Sequence, residues 1–319
     1  LVALGAAYAL MALLNDAQIL AFLALVGGLL APILASSGGG SHVMLFSYYF
    51  VVNAGILAIA WFKSWRLLNL SSFVLVLLAA LGWGSAEYQP SLFNSTEPFL
   101  VLFFLFYLTI SLLTLRRALA AAEGNHFGIS DVIVLFANPL TSFALQYPLI
   151  NSLGAAGEGW LARSALALAL IYAALALWSN RSLRVANLSK RWLLEPFIFL
   201  ATFFLAFSIP LLYDERVTAA SWAVLGAALH WLAVRRRQGW AHFWGIVVRL
   251  AATAAFVTDV DTLTMVIPLD RLPLFNNPFY IGALILSLSA VLSAWLLHGE
   301  DERSAGVYRK LGGGMLVWG

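Results

Sequence analysis

Apolar runs of roughly 17–22 residues, separated by short clusters of charge, recur along the whole sequence. An α-helix rises 1.5 Å per residue, so such runs have the length needed to cross a hydrocarbon core about 30 Å thick. A transmembrane β-barrel would instead show segments of about 10 residues alternating in polarity, and these runs do not alternate. The composition agrees: 62% of residues are hydrophobic and 10% charged, where a soluble chain needs about a quarter charged. The sequence therefore reads as an all-α polytopic membrane protein of about 11–12 transmembrane helices. The spans fall near 1–14, 17–35, 43–62, 67–86, 98–115, 129–150, 161–179, 196–212, 217–234, 241–258, 279–297 and from 307 onward. Starting at Leu1 without a Met and ending inside an apolar run, it reads as part of a longer chain.

The charges sort by side. If loops alternate across the membrane, one set holds Lys63, Arg66, Arg116, Arg117, Arg181, Arg184, Lys190, Arg191, Arg235–Arg237, Arg303, Arg309 and Lys310, which is 14 of the 18 basic residues. The other set holds Glu87, Glu97, Glu158, Asp214, Glu215, Asp259, Asp261 and Asp270. The positive-inside bias makes the first set cytoplasmic. The basic excess thus has a membrane explanation, and no nucleic-acid partner is expected. Thr96-Glu97-Pro98 and Leu194-Glu195-Pro196 read as helix starts, with proline at the first helical position and the acid against the positive end of the helix dipole.

An eight-residue pattern occurs twice. Ser64-Trp65-Arg66-Leu67-Leu68-Asn69-Leu70-Ser71 returns as Ser182-Leu183-Arg184-Val185-Ala186-Asn187-Leu188-Ser189, and each copy is read as a loop. At the same offset Glu97 falls on Glu215, Arg117 on Arg235 and Asp131 on Arg249. This implies tandem four-helix units at 43–150 and 161–258, after an N-terminal hairpin at 1–42 whose start is truncated, with a further truncated unit at 279–319. Two loops that converged on residues suited to a membrane surface would give the same pattern. Asp259 to Asn277 reads as the longest external connection.

Polar groups at membrane depth are costly and mark function by default. Asp131, Asn138, Ser142 and Gln146 share one face of the sixth span, which Pro139 interrupts. A broken polar helix of this kind lines a substrate site in many transporters; a hydrogen-bonded seam between helices reads equally well. Arg249 lies mid-span and needs a partner, Asp131 by repeat register or Glu195 toward the same side; an ion pair or an anion and lipid-headgroup site would each satisfy it. Asn53, midway through the third span, reads as interhelical glue, and His230 as a packed histidine. The small residues Ala219, Ala220, Ala223, Gly226 and Ala227 mark a span buried among its neighbours. There is no cysteine, no metal-ligand spacing, no nucleotide-binding loop and no nucleophile elbow. No catalytic residue, metal or cofactor is therefore assigned.

Leu25-Val26-Gly27-Gly28-Leu29-Leu30-Ala31-Pro32, the Asn53-Ala54-Gly55 segment, Trp61 and Trp65-Arg66 together resemble one family. It is the bacterial inner-membrane family known as domain of unknown function 2339. Ser95-Thr96-Glu97-Pro98-Phe99 resembles its external helix start, and Ile209-Pro210-Leu211 with Ser221-Trp222-Ala223 its later signature. Family members often carry an acid after that Trp-Ala pair, where this chain has Val224-Leu225-Gly226. The resemblance implies a multi-pass fold in a longer protein with a soluble N-terminal segment, and no particular activity. The leading functional expectation is a transporter or translocase for an envelope-related or amphipathic substrate. A membrane scaffold or sensor is the rival, and a membrane-embedded enzyme stands third. Membrane lipids, a second copy or other membrane subunits are the expected partners.

Overall fold

A computed structural model describes residues 11, 15–34, 40–63, 65–120, 128–157, 159–185, 194–213, 215–236, 239–264 and 278–297. Among them every regular element is helical: α1 (Gln18–Leu34), α2 (His42–Phe62), α3 (Arg66–Glu87), α4 (Phe93–Ala120), α5 (Ile129–Asn151), α6 (Trp160–Val185), α7 (Glu195–Ser208), α8 (Glu215–Arg236), α9 (Gly239–Thr264) and α10 (Pro278–Leu297). Seven of these are long and apolar enough to cross a membrane, while α1, α7 and α10 give shorter apolar stretches. The span expected from 307 lies outside the described residues, as does the span expected at 1–14 apart from Met11, and so do residues 186–189 of the repeated pattern.

Several boundaries differ from the sequence reading, the ends of α4 and α6 among them, at Ala120 and Val185. α4 begins at Phe93, one residue after the 3-10 turn Pro90–Leu92, so Pro98 sits inside the helix. Near a helix start a proline removes only one backbone bond, so Pro98 does not have to mark the first residue. Of the repeated pattern read as two loops, Arg66 to Ser71 form the opening turns of α3, at the start of the span expected at 67–86, and Ser182 to Val185 close α6. α7 stops at Ser208, because Pro210 disfavours helical geometry at Ile209. There the chain turns, with the Leu212 and Tyr213 amides both donating to the Ile209 carbonyl. Finally, α9 continues to Thr264, through the start of the expected external connection.

The chain divides into two compact units, Leu1–Ser164 with Ala173–Phe197, and Ala165–Tyr172 with Ile198–Gly319. In the first, α2 to α5 form an antiparallel bundle, with α4 packed on α5 and α2, and α3 on α5 and α1. Its core is aromatic: Phe46, Tyr49, Phe73, Phe103 and Tyr107 are buried together with Leu68, Val76 and Val134. Edge-to-face pairs such as Phe73–Tyr107 and Phe46–Trp83 hold these rings at centroid separations of 5.1 Å. One end of the bundle collects its basic residues. There Lys63 meets Asp16 at 2.9 Å, Arg66 meets Asp131, and Arg117 donates to the Ala60 carbonyl. At the other end His42 pairs with Ser95 at 2.8 Å and Tyr88 donates to the Leu149 carbonyl at 3.3 Å.

In the second unit Phe199, Phe203, Phe204 and Trp244 pack as rings around α7, while the junction of α8, α9 and α10 is built on small residues. α8 packs against both α9 and α10 through Ala219, Ala223 and Ala227, all buried as their spacing predicts. At Gly226 and Gly245 the two backbones nearly touch: a Cβ on either glycine would stand 3.2 Å from the other's carbonyl oxygen.

The outer faces are apolar too. Leu78, Leu170, Val224, Leu250 and Leu288 are each 58–64% exposed. A water-soluble bundle turns charge outward on that face, whereas a helix in lipid has nothing polar to meet.

Candidate functional site

The polar face of α5 is drawn toward α3 and α4. Asp131, the third residue of α5, accepts from the Gly128 amide at 2.8 Å and from Arg66 Nε at 3.0 Å. An acid in the first turn is favoured by the helix dipole, and the guanidinium completes its neutralisation. Arg66 lies close over Gly128, where a Cβ would stand 2.7 Å from its Nη1. Two turns on, Asn138 Nδ2 donates to the Phe104 carbonyl at 3.0 Å. At the far end Gln146 Nε2 donates to Glu97 Oε1, and Glu97 Oε2 is buried with no hydrogen-bond partner among the described residues. Pro139 is fully buried beside Asn138, and Thr141 donates to the Ala137 carbonyl at 2.7 Å.

Between these points lies a partly open cavity of about 310 Å³. Its walls come from α3, α4 and α5 and from Phe46 of α2. Phe73, Trp83, Phe99, Phe103 and Phe104 line it together with aliphatic residues, and Ser85, Tyr88, Thr96, Tyr107, Asn138, Thr141 and Ser142 are its polar residues. No lining residue is charged. Of the residues expected to form a site, Asn138 and Ser142 reach this cavity; Asp131 and Gln146 face Arg66 and Glu97 instead.

Asn53 ties three helices together beside it. Its Nδ2 donates to the Tyr49 carbonyl at 2.8 Å, while Oδ1 accepts from Ser72 at 2.8 Å and from Tyr107 at 2.7 Å. The two hydroxyls also stand 2.9 Å apart. Asn53 Oδ1 gives no proton, so two hydroxyl protons serve three contacts and one side of the triangle is always unfilled. Tyr107 belongs both to this network and to the cavity wall.

In the second unit Arg249 donates to the Ser289 carbonyl at 3.0 Å and to Ser293 Oγ at 2.6 Å, with Nη1 3.4 Å from Ser289 Oγ. His230, fully buried, places Nδ1 3.3 Å from the same Ser293 hydroxyl and its ring 5.1 Å from that of His242. Glu195 is the partly buried first residue of α7. Among the described residues no group of three His, Asp or Glu could hold a metal ion.

Sequence reasoning passed over Thr96, Tyr107, Ser72, Ser289 and Ser293. A signal existed for the last two: Ser287, Ser289 and Ser293 are spaced within two turns of an otherwise apolar span, and all three are buried. Tyr107 carried a weaker one, as a hydroxyl deep in the run Phe103 to Leu113.

Helices long enough to span a bilayer, apolar on both their packed and their outer faces, define a multi-pass α-helical membrane protein. The chain belongs to the family described as "Predicted membrane protein (DUF2339)", whose model matches residues 1–318. No curated protein and no solved structure matches it.

Proposed function

We propose that this chain is a transporter- or translocase-like protein of the bacterial inner membrane, handling an amphipathic, envelope-related molecule through the cavity of its first unit. The observation that carries this reading is the cavity itself. It lies between helices long enough to span the bilayer, is almost wholly apolar, and has a few hydroxyl and amide groups at fixed points on α3, α4 and α5. Ligand sites have this character, with an apolar body for affinity and a few polar groups for orientation. Pro139, beside Asn138, supports it: α5 runs unbroken through the proline rather than being interrupted there, but the missing N–H leaves the Leu135 carbonyl without its helical donor and weakens the wall at that point. The proposal keeps the basic loops in the cytoplasm by the positive-inside bias, and it keeps the tandem four-helix units implied by the repeated pattern. Membrane lipids are the natural partners, with a second copy or another membrane subunit beside them.

A non-transporting scaffold is the second reading, and specific pairings favour it. Asp131 with Arg66, Gln146 with Glu97, and Asn53 with Ser72 and Tyr107 are arrangements that hold helices together. The two readings part at Gly84, which lines the cavity and where a Cβ would meet nothing within 4 Å. Gly84→Trp should fill the cavity without displacing packed atoms. In vesicles of phosphatidylethanolamine and phosphatidylglycerol, the native protein should speed the movement of a headgroup-labelled phospholipid between leaflets, and Gly84→Trp should abolish that gain. Equal rates with and without the native protein would leave the scaffold.

A further inference from the structure

We infer that the cavity takes one acyl chain of an ester-linked membrane lipid, and that the Thr96 hydroxyl recognises the carbonyl at the head of that chain. The inference rests on the reading of the cavity given above and specifies its ligand.

Thr96 is 7% exposed, lines the cavity, and its Oγ1 has no hydrogen-bond partner among the described residues. That is unusual for a helical threonine, whose hydroxyl ordinarily bonds a carbonyl one turn back, as Thr109 does to Leu105 and Thr114 to Ile110. A buried hydroxyl left open costs free energy, and because Thr96 lines the cavity, rotation about its Cα–Cβ bond can bring the hydroxyl to a ligand there. It can donate one hydrogen bond to a carbonyl oxygen.

Depth fits the same ligand. Thr96 lies in the opening turns of α4, level with the polar pairs Glu97–Gln146 and His42–Ser95. Tyr107, eleven residues on, bounds the cavity at its other end on α4, about 16 Å away at 1.5 Å per residue. Half a hydrocarbon core is about 15 Å, the depth one acyl chain occupies in its own leaflet. The carbonyl that joins chain to headgroup marks the top of that layer, where Thr96 stands.

The charge pattern selects among acyl compounds. No lining residue is basic, and Glu97, the next residue after Thr96, is an acid. A free fatty acid would bring a carboxylate toward that acid with no cation to meet it, whereas an ester carbonyl is neutral. The headgroup stays outside the cavity and is not selected by it.

Two probes test this on the full chain in detergent micelles: phosphatidylcholine with a photoreactive diazirine on one acyl chain, and diazirine-bearing palmitate. Cross-links from the phospholipid should map to cavity residues such as Leu100, Phe103 and Leu145, at about tenfold the yield given by palmitate. Thr96→Val keeps the side-chain shape and removes the hydroxyl. It should lower the phospholipid yield about fivefold and leave the melting temperature of the lipid-free protein unchanged or raised, since no internal bond is lost. A drop in that melting temperature, or an unchanged yield, overturns the role of Thr96. Palmitate labelling as strong as phospholipid labelling overturns the ester requirement. In both cases cross-links that vanish in Gly84→Trp still support the cavity as a ligand site. No cross-links in the cavity from either probe would overturn this inference and the transport reading together.

Discussion

The two units solve the same problem, packing apolar helices in an apolar solvent, with opposite materials. The first lines its bundle with large rings; the second has rings around α7 and Trp244, but where α8 meets α9 and α10 it uses residues with almost no side chain. Rings on α3 and α4 hold their helices apart, so the space between Phe73, Phe103 and Asn138 is not filled. Around Ala223, Gly226 and Gly245 the backbones of α8 and α9 close on each other, and Arg249 and His230 are enclosed there by serines of α10. Lipid offers no hydrophobic drive for helices to associate, so stability in such a protein comes from close contact and internal hydrogen bonds. The second unit is built for that contact, and the first gives some of it up for a cavity.

The sharpest way to break this contrast is to place the same side chain in both units. Gly245→Leu would force a branched chain into a site where even a Cβ stands 3.1 Å from His230 Nε2 and 3.2 Å from the Gly226 carbonyl. We expect a loss of about 3 kcal/mol, the upper range for overpacking. Gly84→Leu enters open space and should change stability by no more than about 0.5 kcal/mol. Thermal unfolding of both variants in detergent decides it. Equal losses would mean that the cavity closes in solution and that the two units do not differ in packing.

Next in size comes the ion pair that anchors α3 to α5. Arg66→Gln leaves the Asp131 carboxylate, 6% exposed, with the Gly128 amide as its one partner among the described residues. Arg66 itself is 36% exposed, so water screens part of the loss, and about 1–2 kcal/mol is expected. A double-mutant cycle with Asp131→Asn should recover a large share of it, because the neutral amide no longer needs the guanidinium. Additive losses would show that the two side chains act separately.

How much of this was readable beforehand follows from how local each signal is. Hydropathy is a property of a run, and α2, α5 and α8 begin and end within two residues of their expected limits. Pro98 misled because the acid-proline signal is shared by a first helical residue and one a turn further in. The polar face of α5 was legible as a face, but its partners were not. Asn138 meets the Phe104 backbone, which has no signature in sequence, and Gln146 meets Glu97, which sequence marks only as an acid near a helix start. The repeat register set Asp131 level with Arg249, yet one is the third residue of its helix and the other the eleventh. An acid at a helix start and a cation in mid-span obey different electrostatics, so equal register did not mean equal role. The cavity was invisible for a further reason: it is the volume left where rings from three helices fail to meet, and no single residue encodes it.

The smallest expected effect is the most informative about the cavity wall. Asn138 is 2% exposed and donates one described hydrogen bond, to a Phe104 carbonyl that already belongs to the α4 backbone ladder. Interhelical hydrogen bonds of this kind average about 0.6 kcal/mol in membranes, because the separated helices find other partners. Asn138→Leu keeps the number and branching of the side-chain heavy atoms, its added bulk can enter the adjoining cavity, and it should therefore cost less than about 1 kcal/mol, well below the loss at Arg66. If Asn138→Leu instead costs more than Arg66→Gln in the same melt, the amide is a structural anchor like Asn53. The polar face of α5 would then be a packing seam from end to end. If the cost is as small as expected, the asparagine is held at the cavity for something other than stability, and its amide is free to serve a ligand.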